Sequence, residues 1–250
     1  MLNCSPDISQ QINAFTPLQP RERRGTPISE ILLTDANVDH IGGLAVLRQS
    51  GSHAFVIRSS PIVRNLALKQ PAFAAFSLPP HTWLEVSEDG CLPFGTDGIL
   101  GKDLQMRAFP VPGTTPGYAG RKPEVGAVLG YEISDPSTAK TLIFAPVFAQ
   151  INAALRRAVE QADVALLDGS FYTDDELIAG GFMSKSAQHL GHHPIGGRDG
   201  TLAQFAGVRA RIVFTHLNNS NPALDPASGA AREISAAQAE VAFDGMEFSL

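Results

Sequence analysis

Short apolar runs that each end in a polar residue constrain the fold of this chain more than any other feature. The runs TLIFAP (141–146), VALLDG (164–169) and RIVFTH (211–216) are too short to be core helices and are apolar along most of their length. Such runs are typical of buried strands. Between the first two, the segment 151–159 places its apolar residues on one helical stripe. Strands that alternate with helices favour a layered α/β architecture.

The two ends of the chain add further strands. ISEILLT (28–34) predicts a strand, IGGLAVLRQS (41–50) a short helix, and HAFVIRS (53–59) another strand. VAFDGMEFSL (241–250) predicts a hairpin whose turn is Asp244-Gly245. Part of the sheet is therefore expected to be antiparallel.

Composition limits the classes of function. The 250 residues (26.5 kDa) suit a single domain over 1–250, and a net charge of −6 argues against a duplex nucleic-acid partner. Cys4 and Cys91 are too few and too far apart to predict a disulfide framework, and they suit a reducing cytoplasm. No run of about 18 apolar residues predicts a membrane span. A soluble, cytoplasmic protein is therefore expected.

Side chains that can bind metal follow three of the predicted strands. Asp39 and His40 follow the strand at 28–34, while Asp168 and His216 each stand at the end of a later strand. Polar groups at strand ends commonly gather in one crevice. Two neutral imidazoles and one carboxylate match the facial triad that holds non-haem Fe(II). Asp39 and His40 can share one ion only across a sharp turn, for which Gly42-Gly43 supplies backbone freedom.

Each of these residues also has a plain structural interpretation. Asp39 could be a helix N-cap, Asp168 a turn residue, and His216 a partly buried histidine with no ligand. The HLGHHP tract (189–194) could be an exposed Pro/Gly loop. The combination at three strand ends favours a metal site over four unrelated structural roles.

Several blocks give the chain a family resemblance. It resembles the pyrroloquinoline quinone (PQQ) biosynthesis protein B family, which has the metallo-β-lactamase fold, an αββα sandwich. The blocks run through most of the chain: NCSPDISQQINAF, ILLTDANVDHIGGL, LIFAPVF, LLDGSFYTDDE, LGHHP, THLNNSNPALD and VAFDGMEFSL.

The resemblance implies a reduced metal centre. Asp35 and Asn37 stand where a hydrolase of this fold has its first two histidines, the histidine-free loop 110–120 stands where it has another, and Pro146 stands near the usual bridging aspartate. The first zinc site is therefore expected to be absent. Three ligands of the second site remain, and these are Asp39, His40 and His216.

The resemblance also implies a reaction. The expected activity is Fe(II)- and O2-dependent hydroxylation of a tyrosine-derived group in a PQQ precursor, which comes from a ribosomal peptide with crosslinked Glu and Tyr. Asp168, His192 and Asp35 are expected to orient substrate or move protons beside the metal. Zinc is expected to occupy the site in purified protein. The alternatives are a carrier or transport protein for PQQ or its precursor, and a zinc-dependent hydrolase.

Family members usually begin several dozen residues earlier, with a Gly-rich opening and a cysteine cluster that holds structural zinc. This chain is therefore expected to lack the usual N-terminal strands and to be less stable than a version that carries them. A homodimer is left open.

Overall fold

The computed structural model describes residues 1–23, 25–47, 54–86, 92–93 and 104–248. Residues 48–50 of the predicted helix 41–50, residue 53 of the predicted strand 53–59, and Cys91 lie outside these ranges. The described strands are β1 Glu30–Leu32, β2 Val56–Ser59, β3 Thr82–Glu85, β4 Leu92–Pro93, β5 Gln105–Pro110, β6 Leu129–Asp135, β7 Lys140–Ala145, β8 Val164–Asp168, β9 Arg211–Thr215 and β10 Glu240–Val241.

The described α-helices are short. They are α1 Ile8–Ala14, α2 Val38–Ile41, α3 Leu44–Leu47, α4 Pro61–Leu68, α5 Ala153–Gln161, α6 Glu176–Ala179, α7 Ala187–Leu190, α8 Thr201–Gln204 and α9 Gly229–Ala236. The described ranges also contain four 3₁₀ segments, Thr16–Leu18, Pro71–Ser77, Gly117–Ala119 and Pro222–Leu224. None of the helices in the described ranges is long and apolar enough to cross a membrane.

The larger sheet has the strand order β10-β9-β8-β7-β6-β5-β4. Strands β4 to β7 pair antiparallel, whereas β7, β8, β9 and β10 run parallel. The expected mixture of parallel and antiparallel pairing is therefore present. In the β8–β9 register, Asp168 lies opposite Thr215, so the carboxyl ends of these two strands are side by side. His216 follows at once.

The smaller sheet consists of the parallel strands β1-β2-β3. It is tied to the larger sheet by two long-range hydrogen bonds: the hydroxyl of Tyr131 donates to the carbonyl of Leu33 at 2.8 Å, and the amide of Leu129 donates to that of Thr34 at 2.8 Å. Tyr131 is fully buried in an apolar cluster with Leu32 and Met106. These contacts bring the segment after β1 to the carboxyl ends of β8 and β9.

Helices cover the outer face of each sheet. Leu155 and Val159 of α5 pack with Ile143 and Ala165 of the larger sheet, and Ile8 of α1 belongs to the core beneath the smaller one. Each fully buried side chain of the size of Leu or Val contributes about 1.5–3 kcal/mol to folding. The order helix, sheet, sheet, helix confirms the predicted αββα sandwich.

The predicted C-terminal hairpin is wrong within the described residues. Strand β10 pairs parallel with β9, and the amide of Ala242 continues this pairing by donating to the carbonyl of Phe214 at 2.8 Å. Asp244-Gly245 does form a turn, with Gly245 in the left-handed region (φ 83°), but no strand follows through residue 248. An Asp-Gly sequence predicts the local turn, but it does not predict which strand pairs with the strand before it.

Candidate metal centre

The segment after β1 carries the first two candidate ligands. The carboxylate of Asp35 accepts hydrogen bonds from the backbone amide and the side-chain amide of Asn37, both at 2.8 Å, and this turn leads into α2. Asp39 and His40 both lie in α2, so a helical turn brings them together. The predicted need for a flexible Gly42-Gly43 turn is wrong, because Gly42 has ordinary helical angles.

Gly42 and Gly43 are needed for space. A Cβ on Gly42 would lie 2.6 Å from the carbonyl oxygen of Val38, and one on Gly43 would lie 2.2 Å from that of Ser5. The amide of Gly43 also donates to the carbonyl of Cys4 at 2.9 Å. The N-terminal segment therefore packs directly on the glycines and fixes the position of α2.

His40 is held from behind by a carboxylate. Its Nδ1 lies 2.6 Å from Asp35 Oδ2, and both side chains are buried. Burial alone would lower the pKa of His40, but the Asp35 carboxylate raises that pKa above its usual value. Burial alone would raise the pKa of Asp35, but His40 and the donors from Asn37 and Thr34 hold it below its usual value. An imidazole whose Nδ1 donates to Asp35 presents Nε2 toward Asp39, 3.9 Å away.

His216 is held from behind by a hydroxyl. It follows β9 with left-handed backbone angles (φ 61°), and its Nδ1 lies 2.7 Å from Ser170 Oγ. Its Nε2 lies 3.0 Å from Asp39 Oδ2. The rings of His40 and His216 meet edge to face with centroids 4.9 Å apart. The three predicted ligands thus converge, although they come from opposite parts of the chain.

Asp168 and Ser170 form a hub behind the site. Asp168 is fully buried and accepts from the amides of Phe148 and Ser170, from the Ser170 hydroxyl at 2.6 Å, and from His192 Nδ1 at 2.9 Å. Because the Ser170 hydroxyl gives its proton to Asp168, its oxygen is free to accept from Nδ1 of His216. Both His192 and His216 are therefore held with Nδ1 protonated.

The charges in this hub reinforce each other. Burial alone would raise the pKa of Asp168, but the His192 imidazole beside it lowers that pKa. Burial alone would lower the pKa of His192, but the Asp168 carboxylate raises it.

The three histidines of the HLGHHP tract lie in different environments. His189 is exposed, His192 faces the site, and His193 is buried elsewhere with Nε2 donating to the carbonyl of Asp199.

Two groups of three side chains have donor atoms within 4.8 Å of one another, namely Asp39, His40 and His216, and Asp168, His192 and His216. In the second group, Asp168 is saturated by four hydrogen-bond donors and His192 points Nδ1 at it, which leaves no free carboxylate oxygen for an ion. In the first group, the Asp39 side chain is 60% exposed and both imidazoles have their other nitrogen held by a carboxylate or a hydroxyl. This arrangement is common for metal-binding histidines, and the donor set fits one ion.

A cavity of about 350 Å³ opens beside Asp39, His192 and His216. Where the second ion of a dinuclear hydrolase would require further ligands, its walls are neutral: Asn37, Thr114, Thr115 and Val147. Asp35 is fully buried and does not line this cavity, so it acts on the site through His40.

Three residues of the site lie outside the sequence prediction: Ser170, Arg121 and Phe171. Ser170 was visible only as part of the block LLDGSF. Arg121 lines the cavity from the loop 110–120 and its continuation, where the sequence had indicated only a missing histidine. Phe171 packs its ring edge to face on His192, with centroids 5.6 Å apart, and forms an aromatic wall of the cavity.

Comparisons with known proteins agree with this arrangement. A family model described as a beta-lactamase superfamily domain matches residues 1–217. The chain is similar to coenzyme PQQ synthesis protein B of Azoarcus sp. (strain BH72), with 34% identity over 259 residues that cover 100% of this chain and 83% of the relative. The protein of the same name from Xanthomonas axonopodis pv. citri (strain 306) is 36% identical over 262 residues, with the same coverage.

Solved structures of similar fold also superpose on this chain. The crystal structure of Zn(2+)-bound PqqB from Methylobacterium extorquens superposes with a TM-score of 0.90 at 29% identity, covering 100% of this chain and 82% of that chain. A diphosphatase from the PhnP family superposes with a TM-score of 0.65 at 16% identity, which shows a shared fold and no more.

Proposed function

Because this chain belongs to the coenzyme PQQ synthesis protein B family of the β-lactamase superfamily, we propose that it acts in the biosynthesis of pyrroloquinoline quinone as an Fe(II)- and O2-dependent hydroxylase. Its substrate is a tyrosine-derived group in a precursor made from a ribosomal Glu/Tyr peptide. One observation carries the proposed reaction: two imidazoles and a single carboxylate converge beside a cavity that has no second acidic residue among its described lining residues.

The donor set favours oxygen chemistry over hydrolysis. Asp39, His40 and His216 would hold Fe(II), which would supply redox chemistry with oxygen, whereas zinc on the same donors would have none. A dinuclear hydrolase needs further nitrogen or carboxylate ligands, and Asn37 and Val147 occupy that side of the cavity. The related structure with bound zinc supports zinc as the ion found after purification.

His192 is the group proposed to move a proton. Its Nδ1 is held by Asp168, so its Nε2 is the nitrogen available to a substrate in the cavity. The raised pKa of His192 favours the protonated ring, which can donate to a substrate oxygen. Phe171 packs against that ring and supplies an apolar wall beside it. A phenolic group lying along Phe171 would place its oxygen near His192.

The size of the cavity limits the substrate. A volume of about 350 Å³ is at the small end of the range for pockets that bind small molecules, and it suits a ligand the size of a crosslinked Glu–Tyr unit better than a folded peptide. The reacting species is therefore proposed to be a small crosslinked Glu–Tyr unit already released from its peptide.

The test is to prepare matched samples loaded anaerobically with Fe(II) or Zn(II) and to supply the crosslinked Glu–Tyr unit, O2 and a reductant. We expect the Fe(II) sample alone to consume oxygen and to yield a product one oxygen atom heavier, the second oxygen atom leaving as water at the expense of two electrons from the reductant. His216→Ala should abolish the activity, and His189→Ala, which removes an exposed histidine, should not.

Three outcomes would reject the proposed reaction. Equal turnover with zinc, or turnover without oxygen, would indicate a hydrolase. Tight binding of the substrate or of PQQ to the Fe(II) sample, with no oxygen uptake, would indicate a carrier.

A further inference from the structure

The cavity carries one positive charge that the metal centre does not use. Among the described residues that line it, Arg121 is the only arginine or lysine and Asp39 the only acidic residue. The other lining residues are apolar, are neutral and polar, or are the histidines of the centre. An isolated guanidinium in a small, partly enclosed cavity interacts strongly with an anion, because few water molecules screen it.

The backbone around Arg121 is shaped to hold it there. Gly120 (φ 92°) and Arg121 (φ 50°) are both left-handed, a conformation that residues other than glycine rarely adopt. Such outliers persist where the surrounding structure enforces them, and they cluster at functional sites. Two hydrogen bonds between Thr115 and Lys122 hold the backbone of Arg121 in this conformation. The amide of Thr115 donates to the carbonyl of Lys122 at 2.8 Å, and the amide of Lys122 donates to Thr115 Oγ1 at 3.0 Å.

The loop is also fastened to both sides of the cavity. The hydroxyl of Tyr118 donates to the carbonyl of Ala36 at 2.7 Å, next to the candidate ligands. Arg121 Nη1 donates to the carbonyl of Leu190 at 3.0 Å, just before His192. Gly117 leaves room for the guanidinium, since a Cβ there would lie 3.2 Å from Arg121 Nη2. One Nη group is thus used as an anchor, and the planar guanidinium keeps other N–H donors for a ligand.

We propose that Arg121 forms a carboxylate-binding subsite, which recognises a carboxylate of the substrate and turns its ring toward Asp39, His40 and His216. The subsite rests on the proposed function for its substrate class. A planar guanidinium pairs with a carboxylate through two parallel hydrogen bonds, which fixes orientation as well as affinity. The hydroxyl of Thr114, also in the cavity wall, is a further donor beside it.

Binding to the zinc-loaded protein tests the subsite without any turnover. The probes are PQQ, which has three carboxylates, and its uncharged trimethyl ester, each titrated calorimetrically. We expect the wild-type protein to prefer the free acid. Arg121→Gln should weaken PQQ binding about 10- to 100-fold, the usual range for a lost charge-assisted hydrogen bond, and should leave ester binding unchanged. Arg121→Lys keeps the charge and loses the two parallel hydrogen bonds of the guanidinium, so its affinity for PQQ should lie between those of the wild-type protein and Arg121→Gln.

The matched control is Lys122→Gln, the same loss of charge at the next, exposed position, and it should change PQQ binding less than twofold. Zinc stoichiometry and the thermal midpoint show whether each variant keeps its fold. Equal weakening of acid and ester by Arg121→Gln, or no weakening, would overturn the proposal. Equal binding of acid and ester by the wild-type protein would overturn it whatever the variants do. A failed oxygenase assay together with Arg121-dependent binding would reject the reaction and keep the subsite.

Discussion

The two histidines of the candidate metal centre are supported in different ways. His40 comes from the segment after β1, and its Nδ1 meets the carboxylate of Asp35 directly at 2.6 Å. His216 comes from the end of β9, and its Nδ1 meets the neutral hydroxyl of Ser170 at 2.7 Å. A charge directly behind an imidazole makes it a more basic ligand than a hydroxyl does.

This difference in support also determines how many residues a single substitution affects. Asp35 serves His40 and is buried away from the cavity. Ser170 contacts His216 and also lies 2.9 Å from His192 Nδ1, so it links a candidate metal ligand to the Asp168–His192 pair. The first half of the site therefore centres on one buried ion pair, whose further hydrogen bonds come from Thr34 and Asn37 in the same segment. The second half behaves as a network, in which single changes affect several residues.

The largest expected effect separates the halves by stability. His40→Ala and His216→Ala should each abolish stoichiometric metal binding, because three ligands leave no redundancy. In the metal-free protein, His40→Ala should also lower the free energy of unfolding by about 3–5 kcal/mol, since it leaves the Asp35 carboxylate buried without its partner. His216→Ala should cost about 1 kcal/mol, typical of a lost neutral hydrogen bond. Metal content by mass spectrometry and urea unfolding would measure both.

The control for these variants is His189→Ala, which removes an exposed histidine from the same tract as His192. Stoichiometric metal in either ligand variant would contradict the ligand assignment. Equal destabilisation by the two variants would contradict the distinction between the halves.

A smaller effect is expected from Asp35→Asn. The substitution keeps the size of the side chain and removes the charge behind His40, so metal affinity should fall about 10- to 100-fold, the usual cost of losing a partner of a metal-binding histidine. Competition with a chelator of known affinity would measure it. Asp163→Asn, at a carboxylate paired with Lys140 outside the site, is the matched control. Unchanged affinity in Asp35→Asn would show that the charge behind His40 does not matter.

Ser170→Ala should weaken metal binding less, by about tenfold at most, because only a hydroxyl is lost behind His216. The substitution also removes the hydroxyl that contacts both His192 and Asp168. The pH profile of turnover should therefore shift as well. Ser59→Ala removes another buried serine hydroxyl, one that accepts from Trp83 away from the site, and should change neither property. A shift in metal affinity with an unchanged pH profile would separate Ser170 from His192.

The sequence predicted one half of this comparison better than the other. Asp39, His40 and the Asp35 position lie within six residues, so their proximity follows from local geometry once the strand at 28–34 is identified. His216 was found because it ends a strand of clear apolar pattern, and strand ends meet at one edge of a sheet. The family resemblance supported the same three ligands.

The network of the second half could not be predicted in this way. Ser170 meets His216 across 46 positions of the chain, and Arg121 meets Leu190 across 69. A serine after a strand and an arginine in a loop are common and carry no periodicity. The role of Gly43 was misread for the same reason, because the atom that excludes a side chain there belongs to Ser5, far away in sequence.

The smallest expected effect is a pH dependence of the metal-free protein. The folded pKa of Asp35 is lowered, so its contribution to stability is present above the unfolded value of about 3.9 and is lost as the pH falls below it. The folded pKa of His40 is raised, so its contribution is fully present below the unfolded value of about 6.5 and is lost as the pH rises through the folded value. The pair should therefore stabilise the metal-free fold most between about pH 4 and 6.5. The difference in thermal midpoint between the wild-type protein and Asp35→Asn should be largest in that window, at about 2–4 °C for each kcal/mol in a chain of this size. A difference that stays constant from pH 4 to 9 would show that Asp35 and His40 do not form a charged pair, and that the two halves of the site are supported alike.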